Sequence, residues 1–139
     1  MSDKTATVHW EGRGKQGVGN ISTQTEALKS YPYGFASRFE DDKRGTNPEE
    51  LLAAAHAGCF TMKLSLDLTT AGFTPDTLET TAIITLDNGI ITASDLVLSA
   101  KIPGISDAEF QTIAAGAKAE CPVSKAYNMK INLTASLVD

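Results

Sequence analysis

Gly45-Thr46-Asn47-Pro48-Glu49-Glu50-Leu51-Leu52-Ala53-Ala54-Ala55-His56-Ala57-Gly58-Cys59-Phe60 is the stretch from which the fold is read. Asn47 suits the N-cap of a helix, Pro48 the first helical position, and Glu50 the third position of a box-like cap. Glu49 and Glu50 also lie where the positive end of the helix dipole favours acids. The helix should run to about Thr70 and stop near Gly72. From 51 to 62 it is apolar almost all round, which predicts a central, buried element. A chain of 139 residues has little to wrap around such a helix, and a dimer supplies the missing cover most easily.

Upstream of that helix, residues 4–10 suit a strand, 11–19 a glycine-rich hairpin connection, and 18–25 a second strand. Residues 34–39 read as a short strand or extended loop. Downstream, past Pro75, the pattern changes to period two. Leu78, Thr80, Ala82, Ile84 and Leu86 share one face, Asp87-Asn88-Gly89 turns the chain, and Leu96, Leu98, Ala100 and Ile102 share a face of the next strand. Ser106-Asp107-Ala108-Glu109 is a capping box for a second helix striped by Phe110, Ile113, Ala114 and Ala117. Pro122 breaks that helix, a short turn covers 122–126, and Met129, Ile131, Leu133, Ala135 and Leu137 alternate in a last strand. Strands, helix, strands, helix, strand, with antiparallel sheets kept apart from helices, is an α+β order. No linker or repeat divides the chain, so residues 1–139 are expected to form a single domain.

Composition narrows the function. Twelve Lys plus Arg against seventeen Asp plus Glu give a net charge of −5, which repels phosphate backbones and argues against nucleic-acid binding. Two cysteines are too few for a disulfide framework. The start of the chain lacks the apolar stretch of a secretion signal, and no run is long enough to span a membrane. The expectation is a cytoplasmic protein without a membrane partner.

Three motifs carry chemistry or imitate it. Gly12-Arg13-Gly14-Lys15-Gln16-Gly17 spells a dinucleotide fingerprint, but a β-like segment follows instead of the helix that would take a pyrophosphate, so it reads as a hairpin loop. His56 and Cys59 stand at i and i+3 on one helix face, and Cys121 would make a third metal ligand. Zinc sites usually carry a tighter Cys or His pair at each end, so a buried histidine with one hydrogen bond is the preferred reading of His56. Cys59 alone reads as a small buried hydrophobe. Cys121 differs, because it precedes Pro122 at the start of a short helical turn, a setting that favours the thiolate. Two thiols on separate elements that can converge suit a peroxidatic and resolving pair.

The quoted stretch 45–60 resembles the OsmC/Ohr family of organic hydroperoxide reductases. Cys121-Pro122-Val123-Ser124-Lys125 is similar to that family's second cysteine motif. The resemblance extends through Tyr31-Pro32-Tyr33-Gly34-Phe35 and Ser37-Arg38-Phe39-Glu40 to nearly the whole chain. Ala-His-Ala-Gly-Cys is closer to the OsmC branch than to the Ohr branch; the hairpin at 87–89 looks short for the family. The resemblance implies an intertwined α+β homodimer of curved antiparallel sheets with two long helices per chain. It also implies a thiol peroxidase acting on organic hydroperoxides, with a dithiol reductant of lipoyl type and no metal, flavin or haem cofactor.

The same resemblance makes Cys59 the attacking thiol, Cys121 the resolving one, and Arg38 the cation that holds Cys59 as thiolate, since arginine keeps its charge. Glu49 and Glu50 compete to orient Arg38. Glu50, nine residues before Cys59, points about 180° away at 100° per residue, whereas Glu49 lies about 80° off the thiol direction. The family pattern also puts the acid immediately after Asn-Pro, so Glu49 takes the role and Glu50 keeps the cap. Ten residues of helix span roughly 15 Å, too far for an arginine to bridge within one chain. Cys59 and Cys121 are therefore expected from one chain, with Arg38 and Glu49 from the other. Phe35, Phe39, Phe60 and Met62 would give an apolar substrate pocket. Two other readings stay open at this point: a metal- or ligand-binding stress protein using His56, Cys59 and Cys121, and a structural dimer with inert thiols.

Overall fold

Asn47 caps the long helix through its side chain, whose Oδ1 accepts from Glu50 N at 2.7 Å. The carboxylate of Glu50 turns to Thr46, whose hydroxyl donates to Oε2 at 2.7 Å. In the computed structural model, which describes residues 1–139, this helix α2 runs Pro48–Thr70. Gly72 at φ +92° ends it, a conformation that glycine adopts without steric cost. The chain divides into two compact units, Met1–Leu51 and Leu52–Asp139.

The first unit holds three antiparallel strands, β1 (Ala6–Glu11), β2 (Val18–Thr23) and β3 (Tyr31–Tyr33), in the order β1-β2-β3. The glycine-rich segment is the β1–β2 connection, with one 3-10 turn at Gly14–Gln16. Its last glycine serves packing: a Cβ on Gly17 would lie 2.4 Å from the Trp10 ring. Residues 34–39 depart from the extended segment expected of them. They form a one-turn helix, α1 (Phe35–Phe39). Ser37 explains the difference, because its hydroxyl accepts from Gly34 N at 2.9 Å and donates to Thr46 O at 2.7 Å. That second bond comes from a segment nine residues on, which local propensity does not contain.

The second unit is built on β4 (Thr77–Asp87), β5 (Ile90–Lys101) and β6 (Lys130–Leu137), with α3 (Asp107–Glu120) and α4 (Pro122–Ala126) between β5 and β6. β4 and β5 form a hairpin closed by Asn88 (φ 50°) and Gly89 (φ 77°), the paired positive φ values of the turn that fits strand twist. β5 and β6 pair in parallel, which corrects the expectation of antiparallel sheets throughout. The cause is the crossover through α3 and α4, since parallel neighbours need a connection of about a dozen residues or more. Ser106 caps α3 by accepting from Glu109 N.

The core of this unit joins Phe60, Leu64 and Leu68 of α2 to Leu96, Leu98 and Ala100 of β5 and to Phe110, Ala114 and Ala117 of α3. Each fully buried large side chain contributes about 1.5–3 kcal/mol. The single chain leaves the other side of α2 open, the side for which cover by a second copy was expected. Ala54, Ala55, Gly58, Met62 and Leu66 are exposed in the single chain, Met62 at 69% and Leu66 at 61%. An open groove of about 760 Å³ runs beside this face, lined by Gly58, Thr61, Met62 and Leu66 of α2 and by Leu78 and Thr80 of β4. The apolar composition of α2 therefore exceeds what its own unit covers. No helix is long and apolar enough to cross a membrane.

Candidate active site

Two groups of site residues emerge, one in each unit. In the first, Arg38 at the end of α1 meets Glu49 in the first turn of α2. Arg38 Nε and Nη2 both donate to Glu49 Oε1, at 3.0 and 2.8 Å. The Glu49 side chain is 10% exposed and that of Arg38 37%. Glu49 Oε2 is buried with no hydrogen-bond partner, a state that costs about 1–3 kcal/mol when left uncompensated.

The second group holds the thiols. Cys59 lies mid-way along α2, half-buried, and Cys121 is fully buried where α3 gives way to α4. Pro122 sets this junction, because the residue before a proline is steered to extended backbone, and Cys121 sits at ψ 131°. Its sulfur then caps α4 by accepting from Ser124 N at 3.4 Å. The two sulfurs are 3.1 Å apart and hydrogen-bonded, both free thiols. A disulfide needs them at about 2.05 Å, so closing the bond requires a shift of about an ångström.

The thiols are electrostatically unequal. Burial pushes Cys59 up; the Val123 backbone N–H pulls it down, and its neighbour Cys121 raises it further. Burial also acts to raise Cys121, but the Ser124 hydroxyl, the Cys59 thiol and the N–H groups of Ser124 and Val123 outweigh it, so Cys121 falls below the ordinary thiol value. Within one chain, Cys121 is the sulfur prepared to carry charge.

His56, one turn before Cys59, is fully buried and makes two hydrogen bonds where one was expected. Nδ1 lies 2.6 Å from Ser94 Oγ and Nε2 2.8 Å from Ser124 Oγ. Tyr127 packs edge-on against the ring at 5.1 Å, and its hydroxyl donates to Leu52 O. With both nitrogens engaged by hydroxyls, the set His56, Cys59 and Cys121 offers no free imidazole lone pair to a metal. Ser94, Ser124 and Tyr127 were not singled out from the sequence. Ser124 lies inside the second cysteine motif, whereas Ser94, 38 residues from His56, carried no signal.

Burial lowers the pKa of His56, so the folded protein binds its proton less readily than the unfolded chain. By linkage, stability is unaffected above the ordinary histidine value and falls as pH drops below about 6.5. Urea unfolding between pH 8 and 5 should show wild type losing up to about 1.4 kcal/mol per pH unit more than His56→Gln. Equal slopes in the two proteins would mean that another group controls acid sensitivity.

Of the four side chains expected to make an apolar pocket, Phe60 is fully buried in the core and does not face a ligand. Phe35 and Phe39 pack with their rings tilted by 41° and centroids 4.9 Å apart, with Phe39 and Met62 exposed.

Fold and site together define an α+β protein that carries a poised pair of thiols and a buried carboxylate, Glu49, paired with the more exposed guanidinium of Arg38. The family model for OsmC-like proteins matches residues 40–136. Peroxiredoxin OsmC of Escherichia coli (strain K12) is 48% identical over 134 residues, covering 94% of this chain and 93% of the relative. Organic hydroperoxide resistance protein OhrA of Bacillus subtilis (strain 168) is 32% identical over 102 residues, 70% of each chain. Among solved structures, an organic hydroperoxide resistance protein from Elizabethkingia anophelis superposes with a TM-score of 0.74 at 24% identity, covering 99% of this chain and 98% of that one. An OsmC-like protein from Vibrio cholerae reaches 0.79 at 12% identity, covering 98% and 100%. These two likenesses carry the fold. The chain belongs to the OsmC-like protein family.

Proposed function

We propose that this protein is a cysteine-based peroxidase that reduces organic hydroperoxides to alcohols, in oxidative or osmotic stress defence. The observation that carries the reading is the pair of free thiols 3.1 Å apart in a chain whose relatives are named for peroxide reduction and organic hydroperoxide resistance. The Cys59 thiolate attacks the distal oxygen of ROOH, breaking the O–O bond to leave a sulfenic acid and an alkoxide that takes a proton to become ROH. The Cys121 thiolate then displaces the hydroxyl as water and forms the disulfide. An external dithiol, of lipoyl type in this reading, returns two electrons.

Burial raises Cys59, so the first step needs a fixed cation. Arg38, oriented by Glu49, supplies it in a homodimer where the second copy completes each site. Two observations support that assembly: the exposed apolar face of α2 and the unpartnered Glu49 Oε2.

Stopped-flow oxidation by an alkyl hydroperoxide and by hydrogen peroxide tests the function. The alkyl compound should react at least tenfold faster, because each buried methylene is worth about 0.8 kcal/mol and few contacts suffice. Phe35, Phe39 and Met62 are the apolar side chains available for that contact. Equal second-order constants for the two oxidants would sink the organic-substrate reading.

A further inference from the structure

Leu52, His56 and Cys59 lie on one stripe of α2, within about 60° of one another at 100° per residue. The segment 121–127 runs back along that stripe and meets it at three points. Cys121 Sγ stands 3.1 Å from Cys59 Sγ, Ser124 Oγ lies 2.8 Å from His56 Nε2, and Tyr127 Oη donates to Leu52 O at 2.7 Å. The segment advances in steps of three residues while its partners descend α2 in steps of three and four. The thiol pair is thus the end rung of a three-rung ladder, and all six residues belong to the second unit. The middle rung is anchored from behind. His56 Nδ1 lies 2.6 Å from Ser94 Oγ of β5, and the Tyr127 ring packs edge-on against the imidazole at 5.1 Å.

Nothing within the segment itself explains this placement. α4 is a single turn of five residues, far below the roughly 12–15 at which a helix holds itself in water. Its backbone bonds, Lys125 N to Cys121 O and Tyr127 N to Val123 O, shape the turn without tying it to α2. Ser124 N approaches Cys121 Sγ at 3.4 Å, so the sulfur moves with the turn. We propose that Tyr127 and Ser124 are positioning residues for the resolving thiol: their hydrogen bonds to Leu52 and His56 clasp the 121–127 turn to α2 and hold Cys121 Sγ where the disulfide with Cys59 closes. The proposal rests on the peroxidase reading above for its place in the cycle. In that step Cys121–S⁻ attacks the sulfur of Cys59–SOH, the S–S bond forms, the S–OH bond breaks, and hydroxide leaves with the proton that Cys121 gave up. Rungs made beforehand remove part of the entropy lost on closing that bond, and so raise the effective concentration of one thiol at the other. A rung deleted from the reduced protein frees the turn, whereas the disulfide itself holds the turn in the oxidised protein.

Two measurements test the clasp. Equilibration with glutathione, with no peroxide present, reads the effective concentration, because the protein dithiol and glutathione disulfide exchange to the protein disulfide and reduced glutathione. Tyr127→Phe keeps the ring and removes one hydrogen bond, so the value should fall by about fivefold or more. Ser124→Ala should lower it as much, while Ser124→Thr keeps it within about twofold of wild type. Asn132→Ala deletes a bond of the same unit outside the ladder, Asn132 Nδ2 to Asp95 Oδ1 at 2.6 Å. It should also stay within about twofold, whereas general loosening of the unit would lower it with the others. In single-turnover mass spectrometry after one equivalent of alkyl hydroperoxide, Tyr127→Phe should form sulfenic acid at the wild-type rate and close the disulfide about fivefold more slowly. An unchanged effective concentration in Tyr127→Phe, or an equal fall in Asn132→Ala, overturns the clasp; should Tyr127→Phe fail to fold, Ser124→Ala decides by the same criterion. Closure at the wild-type rate despite a lowered effective concentration overturns its role in resolution. Wild-type protein inert to hydroperoxide would defeat the peroxidase reading instead, with the glutathione equilibrium still deciding whether the clasp exists.

Discussion

Cys59→Ser is expected to abolish hydroperoxide turnover, by more than about a thousandfold or roughly 4 kcal/mol of barrier, whereas Cys121→Ser allows one oxidation and then stalls. A serine hydroxyl is not ionised near neutral pH and is a poor nucleophile towards an O–O bond, so the first loss reflects removal of the attacking sulfur. Without Cys121 the sulfenic acid at Cys59 has no nearby thiol, and it persists or oxidises further to the sulfinic acid. The electrostatics within one chain make this assignment a sharp one to test. Burial raises Cys59 while hydrogen bonds lower Cys121, so a chain acting alone would put the charge on Cys121. Cys59 becomes the attacking thiolate only when a cation outside this pair stabilises it. Mass spectrometry after peroxide should find sulfenic or overoxidised Cys59 in Cys121→Ser. Oxidised Cys121 in Cys59→Ser, with turnover retained, would reverse the two roles.

Much of this architecture is legible along the chain, and the reasons are local. The start of α2 is written in Asn47 and Pro48 and its end in Gly72, because caps depend on side chains within a few residues. The β4–β5 hairpin follows from alternation around Asn88-Gly89. Helical rotation likewise separates Glu49, which meets Arg38, from Glu50, which turns to Thr46. What was not legible depends on partners distant in sequence. The α1 turn is held by Ser37 reaching Thr46 O, the parallel β5–β6 register follows from the α3–α4 crossover, and Ser94 meets His56 only through the fold. Hydropathy showed that α2 is apolar all round but not which side its own unit covers. Met62 and Leu66 lie on the uncovered side.

Mixing inactive Cys59→Ser chains with inactive Arg38→Ala chains and refolding them together should restore peroxidase activity to about a quarter of wild type. The figure follows from two-fold symmetry: half of randomly paired dimers are heterodimers, and each regains one intact site of two. The argument begins with the arginine. Arg38 places two donors on one oxygen of Glu49, and the second oxygen is buried without a partner. A buried carboxylate paired on one side only is costly, and a second copy approaching this end of α2 would bring further donors to it. The same approach would cover Met62 and Leu66, whose exposed apolar surface is otherwise a standing cost to a monomer. If Arg38 serves the thiol of the opposite copy, the heterodimer unites an intact Cys59 from one chain with an intact Arg38 from the other. If Arg38 serves its own chain, every chain in the mixture lacks one essential group. Verified heterodimers without activity would therefore show that each chain builds its own site, and the cation that lowers Cys59 would have to come from within a single copy.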